Sequence, residues 1–311
     1  MPITHQTEGH ANHPAWIRRE LDWILAATPL ATLGSSPLKT PLLEIDAVDT
    51  ETLATDLADQ WAWHGAPKRL GRRFEQLLSA LFEAIPSIRI LAQGVAVHAG
   101  EQTRGELDFL LSYQDTVIHL EVALKYYAGV GDEVARANPL HWVGPSTEDR
   151  LDLKLNHLLT HQLPLSTEPE TLTLLASRDL PTPTHRHAWI FGRLIHPYTE
   201  ALNQTPPIPE HIVGPGGNYW CCHRDRDHAF RALSRPVGSA YGWSPISHDA
   251  LIGQHHGPAH WPLIATAQIP HPEHHAVLAL VSRTTNDHAE RARLWILPDD
   301  FVARAWIDDQ A

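Results

Sequence analysis

The chain has 311 residues, 43% hydrophobic and 19% charged, with a formal net charge of −12. That length suits about two domains and a sizeable core, while the acidity argues against nonspecific polyanion binding, which rests mostly on Lys and Arg neutralising phosphate. No run of about 20 apolar residues occurs, the N-terminus lacks a basic-then-apolar leader pattern, and the only cysteines, Cys221 and Cys222, are adjacent; the expectation is a bacterial-type cytoplasmic protein with no membrane segment and no disulfide framework.

In chain order, residues 15–32 carry helical spacing, with Ile17, Leu21, Ile24 and Leu25 on one face. A second helix is expected over 49–64, with an acidic start that suits the positive helix N-terminus. Residues 69–85 give the clearest helix: Leu70, Phe74, Leu77, Leu78, Leu81, Phe82 and Ile85 form an apolar stripe that Pro86 ends, and Glu75 sits at its edge. The period then changes to that of strands over 88–98, 106–113 and 116–127. A capping-type "STED" opens a helix expected over 146–163. Residues 164–187 are rich in Pro and Thr at both ends and make the best boundary, giving domains 1–180 and 181–311. In the second, strands are expected over 187–196, 216–223, 275–284 and 292–298.

The informative stretch is "GELDFLLSYQDTVIHLEVALKYY", residues 105–127. With Gln114-Asp115 as a two-residue turn, Tyr113 pairs with Thr116, Leu111 with Ile118 and Phe109 with Leu120. Asp108 then falls opposite Glu121, where Cβ atoms lie about 4.5–5.5 Å apart. Two like charges there need something between them. A divalent cation suits two carboxylates; a shared proton, with one pKa raised, is the other solution. Alternation puts Glu121, Ala123 and Lys125 on the same face as Asp108. The alternative is two solvent-facing acids, with Lys125 pairing Glu121 along the strand.

At these residues the chain resembles the PD-(D/E)XK nuclease-like superfamily. More narrowly, "TRGELDFLL", "HLEVALKYY", "WVGPSTEDRLDLKLNHLLTHQL" and "LPDDF" resemble a bacterial domain-of-unknown-function family, number 1853. The resemblance implies an α/β fold with a restriction-endonuclease-like core (helix, mixed β-sheet meander, helix) and a C-terminal α+β extension or second domain. It implies a metal-dependent nuclease that hydrolyses phosphodiester bonds in DNA or RNA with Mg²⁺ or Mn²⁺. Asp108, Glu121 and Glu75 would hold metal, with main chain near Val122 assisting. The superfamily's lysine lies two residues after its Glu, where this chain has Ala123; Lys125 is then the catalytic lysine, displaced by two. A non-catalytic scaffold that kept the fold is the alternative.

Other groups are weaker. Arg150 and Lys154, four apart near a helix start, are the best phosphate contacts, with Gln162 assisting; a solvated helix face with i,i+4 pairs is the competing reading. "KRLGRR", 68–73, would track a nucleic-acid backbone or face solvent. The His groups at 253–261 and 271–275, and Cys221-Cys222-His223, fit no zinc spacing. No P-loop, dinucleotide-binding or nucleophile-elbow motif occurs, and nothing marks a protein partner or an oligomeric state.

Overall fold

In the computed structural model the strongest helical signal forms helix α3, Leu70–Ala84, which buries Phe74, Leu77, Leu78, Leu81 and Phe82. The structure describes residues 13–42, 47–203, 217–234, 241–246, 248, 251–253, 256–258, 263–264, 269, 275–282 and 287–305. The protein is α/β with mixed parallel and antiparallel pairing. Among the described residues no helix is long and apolar enough to cross a membrane.

The chain divides into two compact units that interleave. The first takes Asn12–Lys125 and Lys154–Gly192; the second takes Tyr126–Leu153 and the described residues from Arg193 onward. No single cut near residue 180 separates them. Strand β4, Thr116–Gly129, and strand β6, His185–Pro197, each run from one unit into the other.

In the first unit, α1 spans Pro14–Ala26 and is capped by the His13 side chain, which accepts from Ala15 N–H. It stops six residues short of the expected end. Pro29 cannot continue a helix, and Ala31–Ser35 instead forms strand β1, antiparallel to β6 with Ala31 opposite Ile190. Helix α2, Thr50–His64, starts where Asp49 accepts from the N–H groups of Glu51 and Thr52. Strands β2 (Ile88–Ala99) and β3 (Gln102–Tyr113) form an antiparallel pair with two bulges. The order continues β3-β4-β6. Gly192 lets β6 approach β4: at its φ of +137°, an added Cβ would lie 1.6 Å from the Lys125 carbonyl oxygen. Helix α3 packs Phe82 edge-on to Phe109, ring centroids 5.3 Å apart.

Helix α3 also corrects the reading of the basic cluster. Arg73 is 2% exposed and forks onto Glu20 of α1, which is 1% exposed, with N–O distances of 2.7–3.0 Å. Its guanidinium lies 4.4 Å from the Trp61 ring centroid. Arg73 is therefore a core residue and does not face a nucleic-acid backbone.

The helix expected over 146–163 begins at Leu151, because Arg150 forms a β-bridge with Val143 and residues 144–149 close a turn, Gly144 N–H donating to Asp149 O at 2.7 Å. Helix α4, Leu151–His157, runs into a single π turn, Leu158–Gln162, and a short α5, Leu163–Leu165. The stretch expected as a linker contains helix α6, Pro169–Ser177, with Pro at its first turn.

In the second unit, β5 (Trp142–Val143) pairs with the end of β4, while the end of β6 runs parallel to β7 (Gly217–Cys222). Strand β7 is parallel to β11 (Asp287–Leu297), which is antiparallel both to the short β9 (His256–Pro258) and to β10 (Ala276–Ser282), the latter pairing with β8 (Tyr241–Pro245). A helix over Arg226–Ser234 packs Phe230 against Trp243. Cys221 and Cys222 are both buried free thiols on β7. Of the His-rich stretches most residues lie outside the described set; His275 stacks on Trp295 at 5.4 Å between centroids.

Candidate functional site

Gln114 and Asp115, with φ of +47° and +59°, form the two-residue turn between β3 and β4. Two left-handed residues match the right-handed twist of the flanking strands. The ladder is the expected one: Tyr113 opposite Thr116, Leu111 opposite Ile118, Phe109 opposite Leu120. At Asp108 and Glu121 each carboxylate then reaches the other strand's main chain. Val122 N–H donates to Asp108 Oδ2 at 2.9 Å, and Asp108 N–H points to Glu121 Oε1 at 3.4 Å.

Glu121 is fully buried. Its Oε1 lies 2.7 Å from His119 Nε2, and its Oε2 accepts from the Gln162 amide. The Gln162 amide oxygen accepts from the Lys154 ammonium at 2.8 Å. A continuous chain thus runs from Lys154 through Gln162 to Glu121 and His119. The π turn makes it geometrically available. In a regular α-helix residue i+8 lies about 80° round from residue i. The π turn, closed by the Leu163 N–H to Leu158 O bond, absorbs the extra residue and brings Gln162 back to the face of Lys154.

The electrostatics are unbalanced. Burial, then the charge of Glu121, push Asp108 up to about 8, against the pull of the Val122 N–H and the Lys154 charge. Burial also raises Glu75, with Arg72 pulling back and the charges of Glu106 and Glu121 adding to the rise. Glu75 is partly buried and accepts from Arg72 at 3.0 Å. His157 and His161 stack at 5.2 Å on the exposed side of the same helical stretch. Burial and the Lys154 charge hold His157 below its ordinary value.

Asp108 and Glu121 are hard oxygen donors with a charge excess, a set that fits a hard divalent cation. Among the described residues no group of three or more His, Cys, Asp or Glu side chains could hold a metal ion by itself. A cation at Asp108 and Glu121 would therefore keep water or substrate oxygens in its remaining positions, as Mg²⁺ commonly does.

The family model for a domain of unknown function, DUF1853, matches residues 13–297. The chain belongs to the DUF1853 family. Neither the curated proteins nor the solved structures contain a match to it.

In this DUF1853 chain the sequence-predicted residues divide clearly. Asp108, Glu121, Lys154 and Gln162 come together, and Glu75 joins them through its charge. Lys125 lies partly exposed on β4, four residues beyond Glu121. Arg150 belongs to the second unit and forks onto Asp152 at 2.7 and 2.8 Å, so its charge is matched locally. Sequence reasoning missed His119. Its signal was alternation: in an apolar strand, His119 and Glu121 are two apart and share a face. His119 is fully buried, and its Nδ1 has no hydrogen-bond partner among the described residues.

Proposed function

We propose that this DUF1853 protein is a metal-dependent nuclease, hydrolysing phosphodiester bonds in DNA or RNA on a restriction-endonuclease-like core. The observation that carries the reading is the Asp108–Glu121 pair: Glu121 is fully buried, Asp108 is half-buried, and Asp108 is pushed up to about 8. Such a pair holds either a proton or a cation in place of the missing positive charge. Mg²⁺ or Mn²⁺ bound there would polarise the scissile phosphate and lower the pKa of an attacking water.

The chain's own groups have separable tasks in this reading. Asp108 and Glu121 hold the cation. His119 and Gln162 fix the Glu121 carboxylate in one rotamer, so little reorganisation is needed when charge develops. Lys154, held by Gln162, supplies positive charge next to the reacting phosphate. Glu75 orients a water of the metal shell. Lys125, on the same strand face as Glu121, is the second candidate for the cationic role.

Lysine substitution ranks the two. Lys154→Met is expected to lower Mg²⁺-dependent cleavage on the order of 10²-fold, and Lys125→Met by less. The opposite ranking in a plasmid-nicking assay returns the role to Lys125. Removal of Thr160 tests the π turn: it deletes the extra residue, so Gln162 becomes the seventh residue after Lys154, about 20° round in a regular α-helix, and still faces it. Mg²⁺ affinity by calorimetry is expected to stay within about threefold of the wild type; a loss of about tenfold or more would show that the π turn itself, and not only the facing of the two side chains, serves the site.

One observation favours the scaffold reading instead. Both Glu121 oxygens and Asp108 Oδ2 already accept protein hydrogen bonds. Calorimetry with Mg²⁺ and Mn²⁺ decides: binding that disappears in Glu121→Gln supports the nuclease, and absence of binding to the wild type supports the scaffold.

A further inference from the structure

The second unit contains a cavity of about 820 Å³ whose lining includes Arg136, Trp142, His196, Glu200 and Trp220. All its lining residues belong to that unit. Its size falls in the range of small-molecule sites. The polar groups form a closed set of contacts. The Arg136 guanidinium donates to the Gly131 carbonyl and to Glu200 Oε1. Glu200 Oε2 lies 3.0 Å from His196 Nδ1, and the His196 ring meets Trp142 edge-on at 5.2 Å. Trp142 Nε1 donates back to the Arg136 carbonyl at 2.9 Å, which closes the circuit.

Three consequences follow for what such a cavity accepts. First, anions are disfavoured: the guanidinium is committed to Glu200 and Gly131, and the lining carries three carboxylates, Asp132, Glu133 and Glu200, against that one cation. Second, the walls include indole carbon. Trp142 and Trp220 both spend their N–H on main-chain carbonyls, the latter on Gly129 at 3.0 Å, so the rings offer apolar and π surface. Third, burial and the Arg136 charge hold His196 below its ordinary value, which favours the neutral ring. With Nδ1–H donating to Glu200, its Nε2 is a hydrogen-bond acceptor. Indole rings beside the carboxylates suit an organic cation, which can bury carbon against them, better than a bare metal ion.

We propose that this cavity binds a small organic cation, an alkyl or aryl ammonium or amidinium. Its charged head faces Glu200 and the exposed carboxylates of Asp132 and Glu133, and its body lies against Trp142 and Trp220. Carboxylates beside indole faces are the usual means of holding such groups.

The test is calorimetric titration of the full chain with benzamidine and with spermidine, using AMP as a flat anionic control. Benzamidine or spermidine binds and AMP does not. Glu200→Gln weakens the cation at least about tenfold. Because Glu200 also anchors Arg136, the exposed pair Asp132→Asn and Glu133→Gln serves as the fold-safe variant. Asn at 132 keeps an acceptor for the Ala135 N–H that Asp132 now caps at 2.8 Å. That double variant melts like the wild type and binds the cation at least about threefold more weakly. No heat from either cation up to about 10 mM, AMP binding as well as the cations, or affinity indifferent to these substitutions would each overturn the assignment.

Discussion

Asp108→Asn is expected to abolish Mg²⁺-dependent cleavage and to raise the melting temperature in the same preparation. The first effect follows from losing a charged metal donor and is expected to be on the order of 10³-fold or more. The second follows from proton linkage. Asp108 titrates at 3.8 when unperturbed and is pushed up to about 8 in the folded chain. Between these values the folded chain keeps a proton that the unfolded chain has released. The stability from this group is complete below pH 3.8 and is lost as pH rises through about 8. Asn has no such proton and keeps the Val122 N–H bond. Thermal melts should therefore separate as pH rises, the variant melting higher at about pH 8.5 and the gap shrinking toward pH 4. Each kcal/mol is worth about 2–4 °C for a chain of 150–250 residues. Mg²⁺ should close the gap at high pH by stabilising the wild type alone. A wild-type melt that is indifferent to Mg²⁺, with cleavage intact in Asp108→Asn, would remove the site assignment.

The largest loss of stability is expected from Glu20→Gln. Arg73 is sealed between Glu20 and the Trp61 ring. Removing the carboxylate charge leaves a guanidinium buried without compensation, at a cost of about 3–5 kcal/mol. Glu20→Leu with Arg73→Met removes both charges together and should cost much less than the sum of the single changes. Urea unfolding of the four proteins gives the coupling directly. Additive single effects would mean that the two side chains do not act as a pair.

The hairpin at the centre of the site was legible in the sequence for a simple reason. Strand alternation and a two-residue turn are local properties, and together they specify register. Tyr113 opposite Thr116 and Phe109 opposite Leu120 follow from that alone, and both are present. Helices α2 and α3 were legible for the same kind of reason, one through its acidic start and the other through its apolar stripe. Family membership was legible too, since the quoted motifs lie within the matched residues 13–297, apart from "LPDDF", of which only Leu297 does.

Strands β1 and β8 were not legible. Each is five residues long, and each is a strand because a partner far along the chain offers it a hydrogen-bonding edge: β6 for one and β10 for the other. Helix α6 was hidden by Pro169, which reads as a breaker but here occupies the first helical turn. Arg73 looked like part of a solvated cluster, because the carboxylate that buries it lies 53 residues earlier.

The sequence by itself determined the hairpin register as far as Phe109 opposite Leu120. Just beyond that ladder, Asp108 and Glu121 each reach the main chain of the other strand. Tertiary structure alone decided what surrounds that pair. It placed His119 and Gln162 on Glu121, brought the Lys154 charge to Asp108, and took Arg150 into an ion pair of its own. The physical reason is the reach of the interactions involved. Strand pairing across a turn is fixed by neighbours. Gln162 is 41 residues from Glu121, and its phase depends on a π turn that no residue in Leu158–Gln162 announces.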